Sequence, residues 1–118
     1  MDNPATTRLT VPPLPLTISE AKFVDNIIDM ARWYQCRVAH FRPARTEKGY
    51  RTAMQGDVGF PDLVIARDGW VILAECKARL GKATPGQKKW LTALGGYGRL
   101  WHPHDWPDIV AELRSGPS

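Results

Sequence analysis

The sequence predicts an α/β fold, a mixed sheet flanked by helices in the order helix, three strands, helix, strand, helix. Three observations predict it. Phe23, Val24, Ile27, Ile28, Ala31 and Tyr34 recur at helical spacing. Leu63-Val64-Ile65-Ala66 and Trp70-Val71-Ile72-Leu73-Ala74 are apolar runs on either side of Asp68-Gly69, the strongest short-range hairpin signal. A helix signal at Thr84-Pro85-Gly86-Gln87 then leads to a strand-like Arg99 to His102. That strand–helix–strand crossover predicts two parallel strands joined right-handedly.

The 118 residues suffice for one domain with one modest core. Residues 1–16 are rich in proline and read as an extended arm, 17–114 as the domain, and 115–118 as a tail. Thr17-Ile18-Ser19-Glu20 has a capping-box pattern and starts a helix that runs to about Tyr34. Arg37 to Phe41 reads as a short strand. The stretch from Pro43 to Gly59 has little periodicity, and loops that long are usually functional or mobile. The hairpin occupies Phe60 to Ala78. The second helix has a threonine cap, proline at its first position and glutamine at its third. Trp90, Leu91 and Leu94 give it an apolar stripe, and Gly95-Gly96 ends it. Asp105 caps a final helix through about Leu113.

Net charge is +4 and the isoelectric point about 9.3, a mild bias towards polyanions. The two cysteines, Cys36 and Cys76, form no Cys-x-x-Cys pair, which argues against zinc and for reduced thiols. Met1 to Leu16 lacks the basic start and apolar core of a signal peptide, and no apolar stretch reaches the ~18–20 residues of a membrane span. A cytoplasmic protein is the expectation.

The hairpin places chemistry. With Asp68 and Gly69 as turn residues, Arg67 faces Trp70, and the same register sets Asp62 against Glu75. Direct partners have Cβ atoms about 4.5–5.5 Å apart, and like charges there destabilise a sheet. Lys77, two residues beyond Glu75, shares that face. Two carboxylates and one ammonium therefore meet at one spot. A divalent cation with a taste for hard oxygen, such as Mg²⁺, reverses the penalty. Val71 to Ala74 are apolar on both faces, so the strand should be central and covered, and charges at its end need a reason.

Other residues admit two readings. Glu20 fits the third helix position of the Thr17 cap, yet Phe23, Val24, Ile27 and Ala31 lie on its stripe, which turns it inward. Gln87 fits the Thr84 cap and also lies on an inward stripe. Asp57 suits a turn. His40 suits a structural role or a contact near the site. His102 and His104, beside Pro103, read as surface residues and not as a ligand set. Arg42, Arg45, Lys48 and Arg51, interleaved with Tyr50, form the best phosphate-binding patch. Lys82, Lys88 and Lys89 form a second one at the start of the second helix. The five tryptophans read as core or dimer-interface residues.

Gly59-Phe60-Pro61-Asp62-Leu63, Glu75-Cys76-Lys77, Gly81-Lys82 and Gln87 together resemble the virus-type replication–repair nuclease (VRR-NUC) domain of the PD-(D/E)xK nuclease superfamily, in its stand-alone phage form. The similarity covers roughly Thr17 to Leu113. Cys76 departs from it, since an apolar residue is commoner there. The resemblance implies a restriction-endonuclease-like α/β core and a Mg²⁺- or Mn²⁺-dependent endodeoxyribonuclease. It implies Asp62, Glu75, the Cys76 main-chain carbonyl and Glu20 as metal ligands, Lys77 at the attacking water, and Gln87 near the active site. It also implies DNA, branched or Holliday-junction, as substrate, and a homodimer. The alternative is a non-cleaving DNA-structure-binding protein that keeps the fold.

Overall fold

The computed structural model describes residues 12–41, 44–46, 49–51 and 55–117. Helix α1 spans Glu20–Trp33 and opens on Ser19, whose hydroxyl accepts the Lys22 N–H at 3.1 Å. The cap is therefore two residues later than the Thr17 start read from sequence. Leu16 and Thr17 instead form a turn, closed by an Ile18 N–H bond to the Pro15 carbonyl. Glu20 consequently occupies the first helical position, not the third. Phe23, Val24, Ile27 and Ala31 are buried, as their spacing requires. Tyr34 is the C-cap.

Strand β1 is Arg37–His40. The segment read as an irregular loop contains a small hairpin, β2 (Ala44–Thr46) with β3 (Gly49–Arg51), paired Ala44 with Arg51 and Thr46 with Gly49. Three-residue strands are too short to show alternation, so pattern reading missed them. The element order therefore gains two strands over the one expected. Strands β4 (Leu63–Arg67) and β5 (Trp70–Cys76) pair antiparallel with Arg67 opposite Trp70 and Leu63 opposite Ala74. Asp68 and Gly69 both take positive φ, 49° and 87°, as the two-residue hairpin turn of this twist demands.

Helix α2 is Pro85–Leu94 and strand β6 is Gly98–Trp101. Strand β6 lies parallel to β5, with Glu75 beside Leu100, so the sheet is mixed and ordered β1-β4-β5-β6. Helix α3, Trp106–Ser115, ends two residues beyond the Leu113 end read from sequence. Asp105 does not cap it with its side chain; its carboxylate accepts the His102 N–H at 2.9 Å instead.

One sheet face carries Leu63, Ile65, Ile72, Ala74, Cys76 and Trp101, all buried against α1 and against Trp106, Ile109, Val110 and Leu113 of α3. Each large aliphatic chain there contributes about 1.5–3 kcal/mol relative to exposure. Leu14 and Ile18 also pack on this core, so the end of the arm is docked. Arg67 joins the layers. Its guanidinium donates to the carbonyls of Tyr34 (2.7 Å), Leu113 (2.8 Å) and Arg114 (2.8 Å), which the ends of α1 and α3 leave without helical partners. The opposite face is less covered than expected. Val64, Ala66, Val71 and Leu73 are half-buried there. Helix α2 covers the β6 side, where a Cβ on Gly98 would lie 3.2 Å from Leu94 and 3.3 Å from Leu91. No helix among the described residues is long and apolar enough to cross a membrane.

Candidate active site

Asp62 follows directly from the ladder. Its carbonyl accepts the Phe41 N–H at 2.8 Å, just beyond the end of β1. Its carboxylate Oδ2 accepts the Cys76 N–H at 3.0 Å. Both neighbouring strands thus hold Asp62, and the register carries one step past Leu63–Ala74 to set it against Glu75. Glu75 is 2% exposed, the buried charged residue of the described chain. Its Oε2 lies 3.5 Å from Lys77 Nζ. Its Oε1 is buried with no hydrogen-bond partner among the described residues.

Lys77 leaves the strand with its N–H on the Trp101 carbonyl at 2.9 Å. The turn that follows folds over it. Gly81 N–H bonds the Ala78 carbonyl, and a Cβ at Gly81 would stand 3.0 Å from Lys77 Cβ. His102 Nε2 lies 2.8 Å from the Gly81 carbonyl and anchors that turn. Sequence reading missed this role, because nothing local links positions 81 and 102.

Burial pushes the Glu75 carboxyl up to about 8, and the Asp62 charge adds to it; Lys77 offsets part of the rise. Burial likewise holds the Cys76 thiol well above its ordinary value, with Asp62, Glu75 and Glu20 adding in that order. That thiol is a neutral core group, so a ligand from Cys76 must be its main-chain carbonyl. The donor set fits a hard divalent cation: two adjacent carboxylates, one with an orphaned buried oxygen, beside a main-chain carbonyl.

Glu20 corrects the sequence reading. It is exposed at the start of α1 and not turned into the core, although its charge reaches Cys76. It forms no tight three-ligand group with Asp62 and Glu75. Among the described residues the group whose ligand atoms all lie within 4.8 Å is His102, His104 and Asp105. The sequence reading had set those histidines aside as surface residues, but only His104 is exposed. The His102 ring faces the Gly81 carbonyl through Nε2, and the His102 carbonyl accepts the Asp105 N–H at 2.9 Å. His104 Nε2 lies 3.4 Å from Asp105 Oδ1, and the two imidazoles stack with centroids 5.4 Å apart. The group is a structural knot that starts α3.

Gln87 spends its side-chain oxygen on the Thr84 N–H at 2.8 Å, while Thr84 Oγ1 accepts the Gln87 N–H at 3.2 Å. The cap reading of Gln87 is realised in full. Asp57 lies in an exposed bend, with its carbonyl on Trp90 Nε1 at 3.2 Å. Gly59 sits so close to α2 that a Cβ would fall 2.4 Å from the Gly86 carbonyl carbon, and its φ of +94° also demands glycine. Phe41, Phe60 and Trp90 form an edge-to-face chain behind this loop. His40 is half-buried opposite Leu63. Lys82 and Lys88 are exposed. Arg42 and Lys48 lie outside the described residues, as do the side chains of Arg45 and Arg51, whose backbones belong to β2 and β3. Of the tryptophans, Trp101 and Trp106 are core, Trp70 and Trp90 are half-buried, and Trp33 is 78% exposed. No family model matches the chain, and comparison with curated proteins finds no similar sequence.

Proposed function

We propose that this protein is a divalent-metal-dependent DNA endonuclease of the PD-(D/E)xK type, related to VRR-NUC domains. The observation that carries the reading is the cluster of Asp62, Glu75 and Lys77 at the end of a central strand, with Glu75 buried and one of its oxygens unpartnered among the described residues. A fold gains no stability from such a group, since a buried carboxylate beside another carboxylate is costly. A bound cation removes the cost.

Asp62, Glu75 and the Cys76 carbonyl would hold Mg²⁺ or Mn²⁺, and Glu20, whose charge is felt at Cys76, would act through water if it takes part. When bound, the metal polarises a scissile phosphate and lowers the pKa of a coordinated water. Lys77, held 3.5 Å from Glu75 by the turn at Gly81, orients the attacking water and offsets developing negative charge. Lys82 and Lys88, with the arginines of the β2–β3 hairpin, give phosphate contacts that position the duplex without reading sequence. Branched or junction DNA as the substrate, and a homodimer that cuts two strands symmetrically, rest on the family resemblance.

The deciding experiment incubates the full chain with linear, flap and four-way-junction DNA in Mg²⁺, Mn²⁺ or EDTA. Cleavage with either metal and none in EDTA is expected. Intact DNA under every metal condition, with binding retained, replaces this reading by a non-cleaving DNA-structure binder.

A further inference from the structure

A second feature lies close to Asp62 along the chain. Asp57, Val58, Gly86, Lys89, Trp90 and Ala93 line an open groove of about 460 Å³, within the 300–1,000 Å³ common for ligand pockets. Its walls are fixed. The Gly59–Gly86 backbone contact and the Trp90 indole bond to the Asp57 carbonyl pin the loop onto α2. Val58 is 81% exposed at the lip, with one methyl and its carbonyl against Gly86 and the rest of its side chain open to the groove. Val58 lies four positions before Asp62, a reach of at most about 14 Å.

We propose that this groove receives an unpaired nucleobase of the DNA strand whose scissile phosphate lies at Asp62 and Glu75. The inference rests on the nuclease reading for the position of that phosphate. Aromatic and aliphatic walls suit a base's π-face, and such stacking tolerates any sequence. The charge balance suits the strand that carries the base: the first turn of α2 has no acid, and Lys88 and Lys89 stand exposed on it. Asp57, the one acid among the described residues lining the groove, suits an exocyclic amine better than a phosphate. A base in continuous duplex is stacked on both faces and must be extruded first, at a cost of a few kcal/mol. The groove therefore selects DNA that already has an unpaired position next to the cut.

The test uses the full chain in EDTA with two probes, a continuous duplex and the same duplex carrying a single-stranded arm. Affinities come from fluorescence anisotropy. The armed probe is expected to bind about tenfold tighter. Val58→Glu, at an exposed position, and Ala93→Trp, which fills the groove, are each expected to bring the two affinities within about twofold. A preference that survives both variants overturns the proposal, as does equal binding of the two probes or binding of neither by the wild type. The subsite and the nuclease fail separately. Cleavage in Mg²⁺ with equal affinities removes the base subsite and keeps the nuclease. Preference for the arm without cleavage in any metal removes the nuclease and keeps the subsite.

Discussion

The Asp62 carboxylate accepts the main-chain N–H of Cys76 at 3.0 Å. This bond extends the hairpin register beyond its last ladder pair and fixes a carboxylate opposite Glu75. Because a backbone N–H cannot rotate away, the Asp62 side chain is pre-positioned before any ligand arrives. The remaining freedom at the site belongs to Glu75 and Lys77.

Asp62→Ala, Glu75→Ala and Lys77→Ala should each abolish cleavage, while DNA binding survives. Loss of one preorganised catalytic group typically costs about 10²–10³ in kcat. Single-turnover cleavage of a junction substrate in Mg²⁺ measures this. Wild-type rates in any one variant take that residue out of the mechanism.

Metal-free stability should fall as pH rises from about 4.5 to about 8. The Glu75 carboxyl titrates near 4.5 when unfolded and near 8 when folded. Below the lower value both states are protonated and the contribution is whole; between the two the unfolded chain ionises and the folded chain does not, so stability is lost. Asp62→Asn keeps the shape, removes the neighbouring charge and should reduce the loss. Below pH 8, metal binding should release a proton from Glu75 and restore stability by mass action. Thermal melts in EDTA and in excess Mg²⁺ across this range are the check. A flat profile in EDTA contradicts the buried paired carboxylates.

Changing Arg45, Lys48 and Arg51 together to alanine should weaken binding to all DNA sequences about equally. The log–log salt slope should shrink by about 0.9 for each phosphate no longer neutralised by a side chain. Titrations at several salt concentrations give the slope, and an unchanged one makes this hairpin a solvated surface only.

Arg67→Met keeps the stem over Trp70 but leaves the carbonyls of Tyr34, Leu113 and Arg114 without their donor. Unsatisfied part-buried groups cost about 1–3 kcal/mol, so a destabilisation of that order is expected in urea unfolding. A midpoint equal to that of the wild type means that water replaces the guanidinium at no cost.

The chain should form a homodimer. Light scattering at micromolar concentration is expected to give about twice the 13.2 kDa chain mass. A monomer mass together with junction cleavage would rule out a symmetric two-subunit cut.

The sequence by itself determined the hairpin register, and with it the meeting of Asp62, Glu75 and Lys77, because Asp-Gly between apolar runs leaves few turns to choose from. It determined the α2 cap and the parallel crossover for the same reason: short-range chemistry with one good solution. Tertiary structure decided the rest. Glu20 shares the stripe of Phe23, Val24, Ile27 and Ala31, yet as the first residue of α1 after the Ser19 cap it is exposed, so packing at the helix end and not the period decided its burial. The β2–β3 hairpin is too short to leave a period, and Arg67 bridges two helix ends that lie far apart in sequence. His102 on Gly81, Gly59 against Gly86 and the groove beside Val58 arise where segments distant in sequence are packed together. Such contacts follow from how layers stack, and no local pattern of residues encodes them.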